Sequence, residues 1–164
     1  MNVLSVDCDW VKNLEQQTLL LSHCLPIIKN TKNYYAYNHH MILKCFDGAE
    51  SQEINLTNID DHHDYAYTEF NEIECANWLF HLSQREEFIK NINYFWVGNC
   101  RSEMPRHKVR RMMDNTLKDY QFTFDISEIN KFKYDTTFVC ASIDYQTPYG
   151  LSTYKILENF IKCN

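Results

Sequence analysis

The sequence predicts an α/β fold in three αβα layers, with a mainly parallel sheet flanked by helices on both faces. Two observations predict it. Short apolar strands alternate with helix-patterned segments, and three of the strands end in acidic residues or histidines, at Asp7/Asp9, His39/His40 and Asp60 to Asp64. In open parallel sheets, ligands gather beyond the carboxyl ends of strands, so that convergence also predicts where a site would lie.

Val3-Leu4-Ser5-Val6-Asp7 reads as a short buried strand. From Leu14 to Ile28, Leu14, Leu21, Leu25 and Ile28 recur at helical spacing, with Thr18 interrupting the stripe and Pro26 disturbing the last turn. Tyr34-Tyr35-Ala36-Tyr37 is the second strand, leading through Asn38-His39-His40 into a short apolar helix that ends near Phe46. Ile54 to Ile59 alternates with period two and runs into the Asp/His cluster. A helix is predicted from about Cys75 to Ile89, with Leu79, Leu82 and Phe88 facing inward. Asn93 to Val97 is a further strand, and Pro105 suits the first turn of the helix after it. Thr137 to Ile143 is the last strand and Tyr149 to Ile161 the last helix.

With 164 residues the chain suits one domain, residues 1–164, with one core. Three glycines and three prolines leave little room for a flexible linker, and no internal repeat is present. The start lacks the basic and apolar regions of a signal peptide, and no apolar run is long enough to span a membrane. A soluble, cytoplasmic protein is expected. Its seven scattered cysteines, without a CxxC pair, fit buried free thiols better than a disulfide framework or a zinc knuckle. A net charge of −6 argues against general nucleic-acid binding and is compatible with a cationic substrate.

Asp60-x-His62-x-Asp64 carries the strongest chemistry. An extended backbone would point all three side chains to one side, where they could hold a cation, and carboxylates could bridge two. Five consecutive ionisable residues after a buried strand would be costly as a plain turn without a counter-ion. Carboxylates with a little imidazole suit Mn²⁺ or Mg²⁺. Asp7-x-Asp9 follows the first strand in the same way and supplies further oxygens. His39 and His40 are adjacent, so only one is expected to enter the site, and sequence physics does not choose between them. Trp78 and Trp96 read as core and pocket walls. Arg101, Arg106, His107, Lys108, Arg110 and Arg111 form the only dense basic run, either a solvated helix face or a landing strip for an acidic peptide segment.

The constellation resembles the arginase-like (ureohydrolase) superfamily, which binds two Mn²⁺ ions through a DxHxD segment, an SxDxD segment and a histidine after another strand. Asp60 to Asp64 matches the first and Ser5-Val6-Asp7-Cys8-Asp9 the second, while His39 in Asn38-His39-His40 becomes the better histidine ligand. The closer likeness is to the small family that includes peptide arginases, where a segment of the type Glu-Leu-x-x-x-Asn-Trp follows DxHxD; Glu72 to Trp78 looks similar. The resemblance covers the chain to about Cys100 in pieces. It implies a compact and permuted arginase-like fold, since SxDxD stands first and Trp10-Val11-Lys12-Asn13 replaces the usual xxDP ending. Ser142 to Pro148 is a partial rival match that lacks the second Asp, which leaves Asp144 as a pocket residue.

The resemblance implies two Mn²⁺ ions held by Asp7, Asp9, His39, Asp60, His62 and Asp64, with Asp60 and Asp7 bridging, His39 and Asp64 on one ion, and His62 and Asp9 on the other. A hydroxide bridging the ions would attack the guanidinium carbon of an arginine residue in a peptide, giving urea and an ornithine residue, with Asp64 orienting the hydroxide. Glu72 and Asp144 would bind the guanidinium and Asn77 would hold backbone groups. Two other readings stand beside it: a DHH-type Mn-dependent phosphoesterase, from Asp61-His62-His63, and a non-catalytic metal-stabilised protein that binds a peptide partner.

Overall fold

A computed structural model of the chain describes residues 1–49, 52–65 and 72–164. Six strands form one sheet in which every pairing is parallel: β1 (Asn2–Asp7), β2 (Lys32–Ala36), β3 (Ile54–Ile59), β4 (Ile92–Val97), β5 (Asp119–Thr123) and β6 (Thr136–Cys140). Their spatial order is β2-β6-β1-β3-β4-β5.

Successive residues of β1 face opposite ways, and both faces are buried, which is why the strand reads as an unbroken apolar run. Val3 joins Ile54, Leu56, Tyr94, Trp96 and Phe138 in a core covered by α2 (Trp78–Ser83), α3 (His107–Thr116) and the 3-10 segment His39–Phe46. Leu4 and Val6 join Ile59, Val97 and Val139 under α1 (Leu14–Ile28), α4 (Pro148–Cys163) and the 3-10 segment Ile126–Lys131. The result is the predicted three-layer αβα arrangement. Among the described residues, no helix is long and apolar enough to cross a membrane.

Several elements differ from the sequence reading. The buried stripe of α1 is Gln17, Leu20, Cys24 and Ile28, while Leu14 is 62% exposed. Gln17 is accommodated because its amide donates to Thr153 Oγ1 at 3.0 Å. Pro26 stays inside α1 on its exposed side, and Ser22, whose carbonyl loses its helical donor, is exposed as well. The helix expected to reach Ile89 ends at Ser83. Leu79, Leu82 and Phe88 are nonetheless all buried, the last by a turn in which the Phe88 amide donates to the Arg85 carbonyl. Pro105 precedes α3 rather than entering its first turn, and its carbonyl accepts from Arg110 Nε. β6 stops at Cys140 because Ser142 turns into the left-handed region at φ 46°. β5 was not anticipated: as an edge strand its residues are only partly buried or exposed, and its pattern is correspondingly polar.

The order of the strands locates the site. After β1 the chain moves towards β2 through α1 on one face; after β3 it moves towards β4 through α2 on the other. The two connections diverge, so a crevice opens between the carboxyl ends of β1 and β3. Those strands are direct neighbours, with Ser5 beside Asn58 and Val6 beside Ile59. Asp7/Asp9 and Asp60/His62/Asp64 therefore leave the sheet side by side, despite more than fifty residues of intervening chain.

Candidate metal centre

Ser5 and Asp7 lie on the same side of β1 as Val3, facing the 3-10 segment that begins at His39. His39 is fully buried, and its Nδ1 lies 2.9 Å from Asp7 Oδ2, 3.1 Å from Asp60 Oδ2 and 3.1 Å from Asp64 Oδ2. A single ring N–H can point at one acceptor. Here none of the three oxygens lies along its direction, and the nitrogen has no hydrogen-bond partner. The other ring nitrogen, Nε2, is 2.7 Å from Ser5 Oγ. If Nε2–H donates there, the Nδ1 lone pair is left facing three carboxylates.

A second group adjoins the first. His62 Nδ1 is 3.3 Å from Asp9 Oδ2 and 3.7 Å from Asp60 Oδ1. Asp9 is fully buried, and its Oδ2 lacks a hydrogen-bond donor. Asp60 therefore presents one oxygen to each group: Oδ2 towards His39 and Oδ1 towards His62. Asp7, His39 and Asp60 form one set of converging donors, and Asp9, Asp60 and His62 the other.

The turn after β3 does the sorting, and it is not the extended strip expected from the sequence. The His62 amide donates to Asp60 Oδ1 at 2.8 Å, and Asp64 adopts a left-handed φ of 52°. These bends send His62 towards Asp9 and Asp64 towards His39, where a straight strand would have kept both on one line. Asp61 turns outward to Lys12 at 3.0 Å, and His63 Nδ1 accepts from the Tyr65 amide, so neither joins the donors.

Further side chains hold the carboxylates in place. Trp78 Nε1 donates to Asp64 Oδ2 at 2.7 Å, and Asn58 Nδ2 donates to the same oxygen at 3.0 Å. Trp96 Nε1 donates to the Asp60 carbonyl at 2.9 Å. The Ser142 hydroxyl donates to Asp7 Oδ2 from its left-handed position after β6. Sequence reasoning treated both tryptophans as walls; their indole N–H groups are in fact part of the site's support. Asn58 had left a signal, a polar residue on the inward-facing side of β3 between Leu56 and Asp60.

The electrostatics call for positive charge. Burial pushes the Asp7, Asp9 and Asp64 carboxyls up, and the nearby Asp60 charge adds to this; Asp9 is raised to about 7. Burial acts on Asp60 too, but the adjacent His39 and His62 imidazoles outweigh it and hold Asp60 below the usual carboxylate range. Asp60 and Asp9 in turn hold His62 up to about 11. Burial disfavours a charged His39, yet Asp64 and Asp7 overcome it and raise its pKa. Asp7, Asp9, Asp64 and the two imidazoles therefore hold protons more tightly than usual around an ionised Asp60, protons that divalent cations would replace.

The donors around His39 pass the geometric test for such an ion, while those around His62 stand wider, at 3.3 and 3.7 Å. Cis oxygen or nitrogen ligands on an octahedral cation with bonds of ~2.1 Å stand ~3 Å apart, matching the 2.9–3.1 Å separations around His39. Carboxylates with imidazole and no thiolate fit Mn²⁺ or Mg²⁺ chemistry.

A narrow cleft opens over the cluster between Cys75 and Ala76 on one side and Ser142 and Tyr145 on the other. The Tyr145 ring lies 5.3 Å from that of His62 and is half exposed. Of the expected substrate-binding residues, Glu72 and Asp144 are exposed and neither lines the cleft; Asp144 directly precedes the lining residue Tyr145, whereas Glu72 stands three positions before Cys75. Asn77 is buried; it accepts from the Glu74 amide and donates to the Glu72 carbonyl, shaping the turn that presents Cys75, Ala76 and Trp78. A roomier cavity of about 420 Å³, lined in part by Asn55, Asn93, Phe95 and Phe132, lies towards the amino ends of the strands, away from these ionisable groups. The converging carboxylates and His62 line the narrow cleft instead. Comparisons with protein-family models, with curated proteins and with solved structures each found no match.

Proposed function

We propose that the protein is a dinuclear metal hydrolase that cleaves the guanidinium group of arginine residues in peptides, leaving ornithine residues and releasing urea. The observation that carries the metal part is Asp60, whose two oxygens face two separate groups of buried donors. The choice of reaction is supported by the resemblance of Asp60 to Asp64, Ser5 to Asp9 and Glu72 to Trp78 to the corresponding segments of peptide arginases.

His39, Asp7, Asp60 and Asp64 would hold one Mn²⁺ ion, and Asp9, Asp60 and His62 the other. When bound, such a pair acts as a Lewis acid and lowers the pKa of a coordinated water towards neutrality. Asp64 Oδ2 is fixed by Trp78 and Asn58, and the Asp64 carboxylate lines the cleft, where its other oxygen would orient the attacking water by accepting a hydrogen bond. The Tyr145 face offers a surface over which a planar cation can stack. Asp144 and Glu72 would pair with the guanidinium from the rim. Ile143, exposed directly after the cleft residue Ser142, would give an apolar flank on which an extended chain can rest, favouring a peptide over a free amino acid.

Mn²⁺-loaded protein incubated with arginine-containing peptides, free arginine and phosphodiesters, followed by mass spectrometry, tests the reading. Urea and ornithine residues from peptides are expected. Phosphoester cleavage without urea would replace it with the phosphoesterase reading, and loss of urea formation in Asp60→Ala is the required control.

A further inference from the structure

The basic run has a definite place in the fold. α3 returns antiparallel to the strands, so its N-terminal half lies at the carboxyl end of the sheet, the end that carries the metal cleft. Arg106 caps α3, and Val109, Met112 and Met113 turn inward against the core. Arg106, His107, Lys108, Arg110 and Arg111 are therefore left exposed at that end. Arg101 extends the patch towards the site: its guanidinium lies 5.9 Å from the Phe124 ring centre, Phe124 lies 6.2 Å from Trp96, and Trp96 bonds the Asp60 carbonyl.

The arginines of this patch lack a carboxylate partner among the described residues. Glu103 is the one acidic residue between positions 101 and 111. Among the described residues, Arg101, Arg106, Arg110 and Arg111 form no ion pair with a carboxylate. Arg106 and Arg110 stand at i,i+4, where like charges repel, at the positive end of the helix dipole, while Asp114 stands one turn beyond Arg110 and Arg111 towards the other end. Such an arrangement costs stability in a chain of net charge −6, and an external anion would relieve it.

We propose that this surface docks an acidic segment of the peptide whose arginine enters the cleft. The occupant is argued by charge: the cleft presents Asp7, Asp9, Asp60 and Asp64, the neighbouring patch presents arginines, and a peptide with one arginine flanked by glutamates or aspartates complements both. A nucleic acid would match the patch but be repelled by the acidic remainder of the surface. The proposal rests on the peptide-arginase reading for the reaction alone; docking is measured as binding, independently of turnover.

The test uses fluorescence anisotropy of Mn²⁺-loaded protein with a labelled peptide containing one arginine and a glutamate-rich flank. A glutamine-rich counterpart and a single-stranded DNA serve as comparisons. The acidic peptide is expected to bind at least about tenfold more tightly than the glutamine-rich one, with affinity falling as salt rises. The Arg106→Glu/Arg111→Glu variant should lose that preference while its thermal midpoint stays level or rises, because the change relieves repulsion on α3. Equal binding of both peptides, preference retained in the variant, or tighter binding of the DNA would each overturn the proposal. If no peptide yields urea but the acidic preference and its loss are both seen, the docking surface stands and the reaction assignment fails.

Discussion

Ser5 Oγ sits 2.7 Å from His39 Nε2, on the far side of the imidazole from the three carboxylates that surround Nδ1. The hydroxyl fixes which ring nitrogen is free to bind a cation and prevents the ring from rotating. Ser5→Ala should therefore weaken Mn²⁺ binding by about 10–100-fold, the usual effect of losing such a partner. Isothermal titration calorimetry measures it. An unchanged affinity would show that packing alone orients His39.

Because Asp60 serves both donor groups, its loss should differ from that of any other ligand. Asp60→Ala is expected to reduce metal content to near zero, whereas His62→Ala should retain one ion at the His39 group. Metal analysis of purified, dialysed protein distinguishes the two. Equal residual content in both variants would mean that Asp60 does not bridge.

The metal-free protein should be more stable in mild acid than in mild alkali. Asp9, raised to about 7, and His62, raised to about 11, both hold protons more tightly when folded than when unfolded. Each contributes stability that is full below its unfolded pKa and is lost as pH rises through its folded one. Asp60 has the opposite sign, since its depressed carboxyl loses its contribution only on strong acidification. The thermal midpoint of chelator-treated protein should fall between about pH 5.5 and about pH 8.5, and Mn²⁺ should flatten the profile. A midpoint that rises with pH in the chelated protein would contradict the arrangement.

Thiol labelling should divide the cysteines by burial. Cys100 and Cys163 are exposed and should react with iodoacetamide in the native protein, while burial pushes Cys24 up to about 12 and keeps it silent until unfolding. Peptide mapping reads the pattern directly, and modification of Cys24 under native conditions would mean that α1 does not pack as described.

Gly150 lets α4 approach the turn that carries Asp9. A Cβ there would stand 2.5 Å from the Cys8 carbonyl oxygen, while the adjacent Thr147 caps α4 and donates to the Val11 carbonyl. Gly150→Ala should cost about 1–3 kcal/mol by overcrowding and also weaken metal binding, because relief requires Cys8–Trp10 to move. Denaturant unfolding with parallel calorimetry checks both effects; lost stability with unchanged metal affinity would separate the helix contact from the site.

The sequence revealed much of the architecture because the central strands are buried on both faces and stand out as apolar runs, as in β1 and β6. It concealed β5, whose exposed edge carries Asp119 and Gln121. It also stretched α2, because Phe88 continues the apolar spacing after the helix has ended. In the site, the identity of the carboxylates was legible, but their division between two groups was not. That division depends on the left-handed Asp64 and the Asp60 side chain bonding the His62 amide, neither of which leaves a period in the sequence. The support from Ser5, Trp78 and Ser142 was hidden for a different reason: each meets its partner only after tertiary folding.

The placement of β6 has a consequence for biosynthesis. All six donor residues lie within the first 64 positions, yet among the described residues β2, which leads to His39, pairs only with β6, and β6 is made more than seventy residues after the last donor. A nascent chain that already carries every ligand still lacks the strand that seats His39 beside Asp7. Assembly of the donor cluster thereby waits on β6, and a chain that stopped before it would carry the donor residues without the strand that seats His39.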